Sequence, residues 1–137
     1  MLKGLVLLAA RLLIAVLFVP AGVSTLTNIS GSAGYFAGLG LPLPTLLAIV
    51  VGLIELLGGA LVMVGFQVTL VCAGLALFAV AAGFIGHYGQ GGGDPALTFM
   101  HQQALMKDIA ISGGLLALAA AGGGALSLDR IFGRRPI

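Results

Sequence analysis

Residues 49–65 read IVVGLIELLGGALVMVG and contain one charge, Glu55. The neighbours of Glu55 are apolar or glycine, with no strand-like alternation of apolar and polar positions. The apolar run reaches back to about Thr45, so it has the roughly 20 residues that a helix needs to cross a bilayer core. A bare carboxylate in such a run is costly. Two questions follow: whether lipid surrounds this chain, and what meets Glu55.

Composition answers the first. The chain has 137 residues, 60% of them hydrophobic and 7% charged, where a soluble domain carries about 25% charged residues. A chain of this size leaves much of its area exposed, and six basic and four acidic residues cannot cover it. The formal charge of +2 is not spread as a stripe, so a nucleic-acid partner is excluded. One cysteine, Cys72, lies in an apolar run; it permits no intrachain disulfide and no paired-thiolate metal site.

Four apolar runs are long enough to span: about Leu5 to Thr27, Thr45 to Gly65, Thr69 to His87 and Gln102 to Gly123. The chain is therefore expected to be an all-α integral membrane protein, a bundle of four transmembrane helices in one membrane domain. The first run has a basic start, but Arg11 interrupts it and it continues past the length of a signal-peptide core, so it reads as a retained span. Between spans one and two, SAGYFAGL can form a short interfacial helix anchored by Tyr35 and Phe36. Pro42 and Pro44 end that helix and start the second span. Gly91-Gly92-Gly93-Asp94-Pro95 reads as a flexible turn, and Asn28-Ile29-Ser30 matches a glycosylation sequon.

Lys3 and the tail residues Arg130, Arg134 and Arg135 fall on one side of a four-span chain, and the two longer loops have no Lys or Arg. The positive-inside rule puts both termini, with the basic tail 124–137, in the cytoplasm. Membrane lipid is the surrounding partner.

Twenty-three glycines are many for this length. Gly52, Gly58, Gly59, Gly83 and Gly113 are the expected sites of close helix packing. Ala48/Gly52, Ala79/Gly83 and Gly113/Ala117/Ala121 carry small residues four apart, a spacing that lets backbones approach. Gly58 and Gly59 share the face of Glu55 and alternatively leave room there for a ligand.

Glu55 lies about 15 Å into its span. It must either carry its proton or find a cation. Arg11, about 9 Å deep in span one, is the candidate, unless it snorkels to the headgroups. Lys107 and Asp108 form a second polar set; if spans two and four are neighbours, Lys107 competes for Glu55. Gln103, Lys107 and Gly114 share one stripe of span four, and His101, Asp108 and Ser112 another. His87 and His101 end spans three and four; two histidines are too few for a haem or metal site to be expected. The charges are either inert ties within the bundle or a polar, proton-handling pocket. No catalytic motif is present, so no catalytic residue is assigned.

In order along the chain stand Arg11, then Phe18-Val19-Pro20-Ala21-Gly22; Tyr35-Phe36-Ala37-Gly38-Leu39-Gly40-Leu41-Pro42; a Gly-x-x-Glu-x-x-Gly-Gly from Gly52 to Gly59; and His87 at the end of span three. Lys107-Asp108-Ile109-Ala110-Ile111-Ser112-Gly113-Gly114-Leu115-Leu116 and Ser127-Leu128-Asp129 complete the set. The chain thus resembles the DoxX family of small four-span bacterial inner-membrane proteins over nearly its whole length. The resemblance implies a four-helix membrane bundle in the inner membrane and an association with redox chemistry, since DoxX-like and DoxD-like proteins include a subunit of a thiosulfate:quinone oxidoreductase. It also implies that Arg11, Glu55, His87 and Lys107 occupy the family's polar positions. Thr25 stands where many members have lysine, and Asp108 where asparagine is common; a lost cation and a gained anion weigh against an anionic substrate.

The first expectation for function is an accessory subunit of a membrane redox complex that holds a quinone-like lipid on Arg11, Glu55, His87, Lys107 and Asp108, with no redox cofactor of its own. The alternatives are a non-catalytic scaffold or assembly factor and, more weakly, a small transporter, which would need a homo-oligomer.

Overall fold

The computed structural model describes residues 1–134; Arg135 of the basic tail lies outside them. The elements are α1 Leu2–Thr27, α2 Ile29–Gly38, α3 Pro44–Val64, α4 Val68–His87, α5 Pro95–Ala121 and α6 Leu128–Ile131, with no strand among the described residues. Helices α1, α3, α4 and α5 are each long and apolar enough to cross a membrane. The 21 residues of α3 rise about 31 Å, the thickness of a hydrocarbon core. Large apolar side chains such as Leu13, Val16, Leu57, Leu77 and Leu116 are exposed on the outside of the bundle. Acyl chains, not water, suit such a surface. The fold is the expected all-α four-span bundle, and α2 is the short helix between the first two spans.

Local chemistry sets the helix ends. The side chain of Asn28 accepts from Gly31 N at 3.2 Å, so the apparent sequon is the N-cap of α2. Helix α3 starts at Pro44, after a left-handed Leu43. Helix α5 starts at Pro95, about two turns before its apolar run. Asp94 Oδ1 accepts from Ala96 N at 2.9 Å and from Leu97 N at 3.3 Å. An Asp-Pro cap starts a helix whatever the hydropathy of its first turns, which is why the polar loop is shorter than the apolar pattern predicts.

The bundle is two tight pairs, α1 against α3 and α4 against α5, joined more loosely through α3–α4 and α1–α5. Glycines make the pairs tight. A Cβ on Gly22 would stand 2.7 Å from Leu56 Cα, and one on Gly59 would stand 2.9 Å from Phe18 Cβ. Gly52 faces Leu26 in the same seam, and Gly83 faces Asp108 in the α4–α5 seam. Gly58 meets Leu75, so the room expected beside Glu55 on that face is taken by packing. Gly113 has nothing within 4 Å of its added Cβ and is exposed, as is Ala117: that stripe faces outward instead of into the bundle.

The apolar core lies in the half of the bundle that carries the termini. It contains Phe18 of α1, Val62 of α3, Val68, Cys72, Leu75, Ala76 and Ala79 of α4, and Leu115, Leu118 and Ala119 of α5. A polar clasp closes the same end. Arg11, 1% exposed, donates from Nη1 to Met63 O at 3.0 Å and from Nη2 to Leu126 O. Asp129 of the returning tail accepts from Gln67 N at 2.7 Å and from Val68 N at 2.9 Å, capping α4. Its own N–H donates to Gly65 O at 2.9 Å. Ser127 Oγ donates to Gly124 O at 2.7 Å and accepts from Arg130 N. The tail residues 124–134 thus fold back as a lock on the α3–α4 turn.

Candidate functional site

Under α2, at the other end of the bundle, the core gives way to a cavity of about 650 Å³. All four spans and α2 contribute to it. Phe18, Ala21 and Thr25 come from α1, Val51 and Glu55 from α3, Phe78, Ala82 and His87 from α4, and Asp108 and Ile111 from α5. Tyr35 and Phe36 of α2 form its roof. Leu17, Ala81, Ala82 and Ile85, also on its wall, are exposed, so it is not sealed from the surroundings. The volume is that of an ordinary small-molecule site, and so is the plan of apolar walls with a few polar groups.

Thr25, Glu55, Tyr35, His87 and Asp108 each face a group on a neighbouring helix, while Asn28 and Ser32 at the α2 end add further polar lining. Thr25 Oγ1 donates to Glu55 Oε2 at 3.2 Å across the α1–α3 seam. Tyr35 Oη donates to Gly86 O at 3.4 Å, tying α2 to the end of α4. Glycine at 86 allows this, since a Cβ there would lie 3.0 Å from the phenol oxygen. His87 Nε2 stands 3.9 Å from Asp108 Oδ2, and His87 Nδ1 is 2.9 Å from His101 Nδ1. One turn beyond Asp108, Ser112 Oγ lies 2.8 Å from Asp108 O and 3.1 Å from Ala76 O, joining α5 to α4. His101, Asp108 and Ser112 share one stripe, as their spacing predicts, and the structure turns that stripe inward.

The expected pairing of Arg11 with Glu55 does not form. Arg11 lies in the clasp at the termini end and reaches backbone carbonyls, which a guanidinium at that depth meets without crossing the apolar core. Lys107 does not compete for Glu55 either. It is exposed on the outer face of α5 with Gln103 and Gly114, and α3 and α5 scarcely touch. Of the five polar residues expected to form one network, the cavity brings together Glu55, His87 and Asp108. It adds two whose part was not foreseen, Thr25 and Tyr35. Neither signals its role in sequence, because a hydroxyl's partner depends on how two helices are rotated. Asp129 was also missed, although a lone acid in a short basic tail is a signal for a cap.

Among the described residues no Lys or Arg lines the cavity, and it holds two carboxyl groups. Such a wall disfavours an anion. Among the described residues no group of three or more His, Cys, Asp or Glu side chains stands ready to hold a metal ion. A smaller hollow of about 420 Å³ lies at the termini end, beside Lys3, Asp129, Arg130 and Arg134.

A four-span membrane bundle with a polar cavity beneath a short helix is the class of protein this geometry defines. The chain belongs to the DoxX family, whose model matches residues 6–88, from α1 to the end of α4. It is 34% identical over 128 residues to the inner membrane protein YqjF of Escherichia coli (strain K12), covering 93% of this chain and 92% of that protein. It is 30% identical over 133 residues to the inner membrane protein YphA of the same organism, covering 93% and 91%. No solved structure matches it. With four spanning helices and these relatives, it is a multi-pass inner-membrane protein.

Proposed function

We propose that the cavity under α2 holds the head of a neutral, quinone-like lipid, and that the protein serves a membrane redox system by holding that lipid, a partner complex supplying the electrons. The supporting observation is the cavity's chemistry. It combines two carboxyl groups, an imidazole, the hydroxyls of Thr25, Ser32 and Tyr35 and the Asn28 amide with apolar walls and, among the described residues, no fixed cation. A quinone needs hydrogen-bond donors at its two oxygens, which Tyr35 and Thr25 supply by turning their hydroxyls from Gly86 O and Glu55 Oε2 to the ligand, and which a protonated Glu55 supplies as well. The reduced form needs acceptors, which the Glu55 and Asp108 carboxylates supply. An anionic headgroup would meet like charge. The apolar tail finds Leu17, Ala81 and Ile85 on the wall, facing the surroundings.

The test uses protein purified from membranes in mild detergent, with bound lipid extracted and quinone measured by chromatography and ultraviolet absorbance. Retained quinone in the parent and its loss in Glu55→Gln support the proposal. A parent without quinone, or one that carries an organic cation instead, overturns it.

A scaffold role is favoured by one observation. Among the described residues Arg11 donates to backbone carbonyls alone, and it is buried in the clasp. Normal assembly of a partner complex by a quinone-free parent would favour that role. For orientation we propose cytoplasmic termini, because Lys3, Arg130 and Arg134 crowd one end while the loops at the α2 end have no Lys or Arg.

A further inference from the structure

His101 takes no part in the cavity wall, yet it is hydrogen-bonded to a residue that does. His101 and Asp108 lie seven residues apart on α5, two turns along one face. His87, the last residue of α4, spans the gap between them. Its Nδ1 meets His101 Nδ1 at 2.9 Å and its Nε2 faces Asp108 Oδ2 at 3.9 Å. The second distance exceeds a direct hydrogen bond, so the path requires His87 and Asp108 to approach for the transfer. His87 and Asp108 line the cavity, and His101 stands behind them near the end of the bundle, seven residues after Asp94 and the polar loop.

The geometry points to Asp108–His87–His101 as a proton path between the cavity and the aqueous edge of the membrane at the α2 end. This rests on the cavity being the site of a ligand that gains and loses protons, as proposed above. The facing Nδ1 atoms share one hydrogen, so the two rings' tautomers are linked. When His101 carries that hydrogen, a neutral His87 carries its own on Nε2, toward Asp108. Transfer inward breaks the Nδ1–H bond of a protonated His101 and forms one at His87 Nδ1. The Nε2–H bond of His87 then breaks and an O–H bond forms on Asp108. One proton moves from His101 to Asp108 and no electrons move. Imidazole suits such a hand-over because it exchanges protons near neutral pH through two separate nitrogens. The other titratable groups around His87 are Tyr35 of α2, on the carbonyl of Gly86, and Glu55 of α3, on the wall of the same cavity. Lys107 is exposed on α5 and faces away.

The experiment has two arms in full-length protein reconstituted in nanodiscs. In the first, nitrogen-15 NMR of labelled histidine follows both rings between acid and alkaline pH in the parent, His101→Gln and Asp108→Asn. Linked titration, with the His87 signal moved by either substitution, is expected. A His87 signal indifferent to both overturns the path. In the second, decylubiquinone is loaded and reduced with dithionite, which supplies the electrons, while quinone absorbance is followed. His101→Gln is expected to keep the parent's quinone occupancy, since the residue is off the cavity wall. It should slow reduction about tenfold or more, in line with the loss of a positioned proton donor, and remove the parent's dependence on pH near neutrality. Equal occupancy with an unchanged rate overturns the path while leaving the lipid site standing. A parent that binds no decylubiquinone overturns the lipid site, and with it the path's use, even if the two rings prove linked.

Discussion

Thr25 Oγ1 donates to Glu55 Oε2 at 3.2 Å, so the one acid of the second span is met by a hydroxyl of the first. No cation reaches it among the described residues. Glu55 also lines the cavity under α2.

Removing that hydroxyl separates packing from binding. Thr25→Val keeps the shape of the side chain and leaves Glu55 without its partner. It is expected to cost about 1 kcal/mol of stability, the scale of a hydrogen bond between membrane helices, while quinone retention falls. Stability is read from Cys72, the single and buried thiol. On heating in detergent it reacts with a thiol dye only as the bundle opens. Full retention of quinone by Thr25→Val would show that the Thr25–Glu55 bond does not shape the site.

Arg11 acts on stability alone. Arg11→Leu strips the Met63 and Leu126 carbonyls of their donor and loosens the clasp, at an expected cost of about 3 kcal/mol. Arg11→Lys should recover little, because its donors sit on one nitrogen at the end of a shorter stem, whereas the two carbonyls are met by separate guanidinium nitrogens. Thiol-dye unfolding of the three proteins checks both statements. A Lys variant as stable as the parent would assign Arg11 the role of a simple charge.

Asp129 caps α4 from a distant part of the chain. Asp129→Ala is expected to destabilise by about 1–2 kcal/mol, since it frees two backbone N–H groups, and Asp129→Asn by less, because its amide oxygen still accepts. Hydrogen exchange at Gln67 and Val68 should rise first. Unchanged exchange at those two amides would contradict the cap.

Two glycines that look alike in sequence should respond in opposite ways. Gly22→Val pushes a side chain into the Leu56 backbone and should destabilise by about 1–3 kcal/mol or prevent folding. Gly113→Leu meets open space and should be tolerated to within about 0.5 kcal/mol in the single chain. A loss of stability at Gly113 that depends on protein concentration would instead reveal a contact between copies.

Orientation is checked by fusions after Arg134. A cytoplasmic terminus makes a green fluorescent protein fusion bright and an alkaline phosphatase fusion inactive. The reverse pattern would invert the assignment of the cavity to the outer half.

Four spans, a short helix between the first two, and the proline start of α3 are all local properties of the chain. Hydropathy and capping act over a few residues, so the sequence alone determined them, together with the grouping of His101, Asp108 and Ser112 on one stripe, though not that this stripe faces inward. The partners of the charges were decided elsewhere. Arg11 and Glu55 are the obvious ion pair on paper, yet they lie in different halves of the bundle, with an apolar core at the end that Arg11 clasps. Whether Glu55 meets Thr25, or Lys107 faces outward, depends on the rotation of each helix and on which helices touch. Those are set by glycines such as Gly22 and Gly83 fitting against particular neighbours, a long-range steric match that no window of sequence contains.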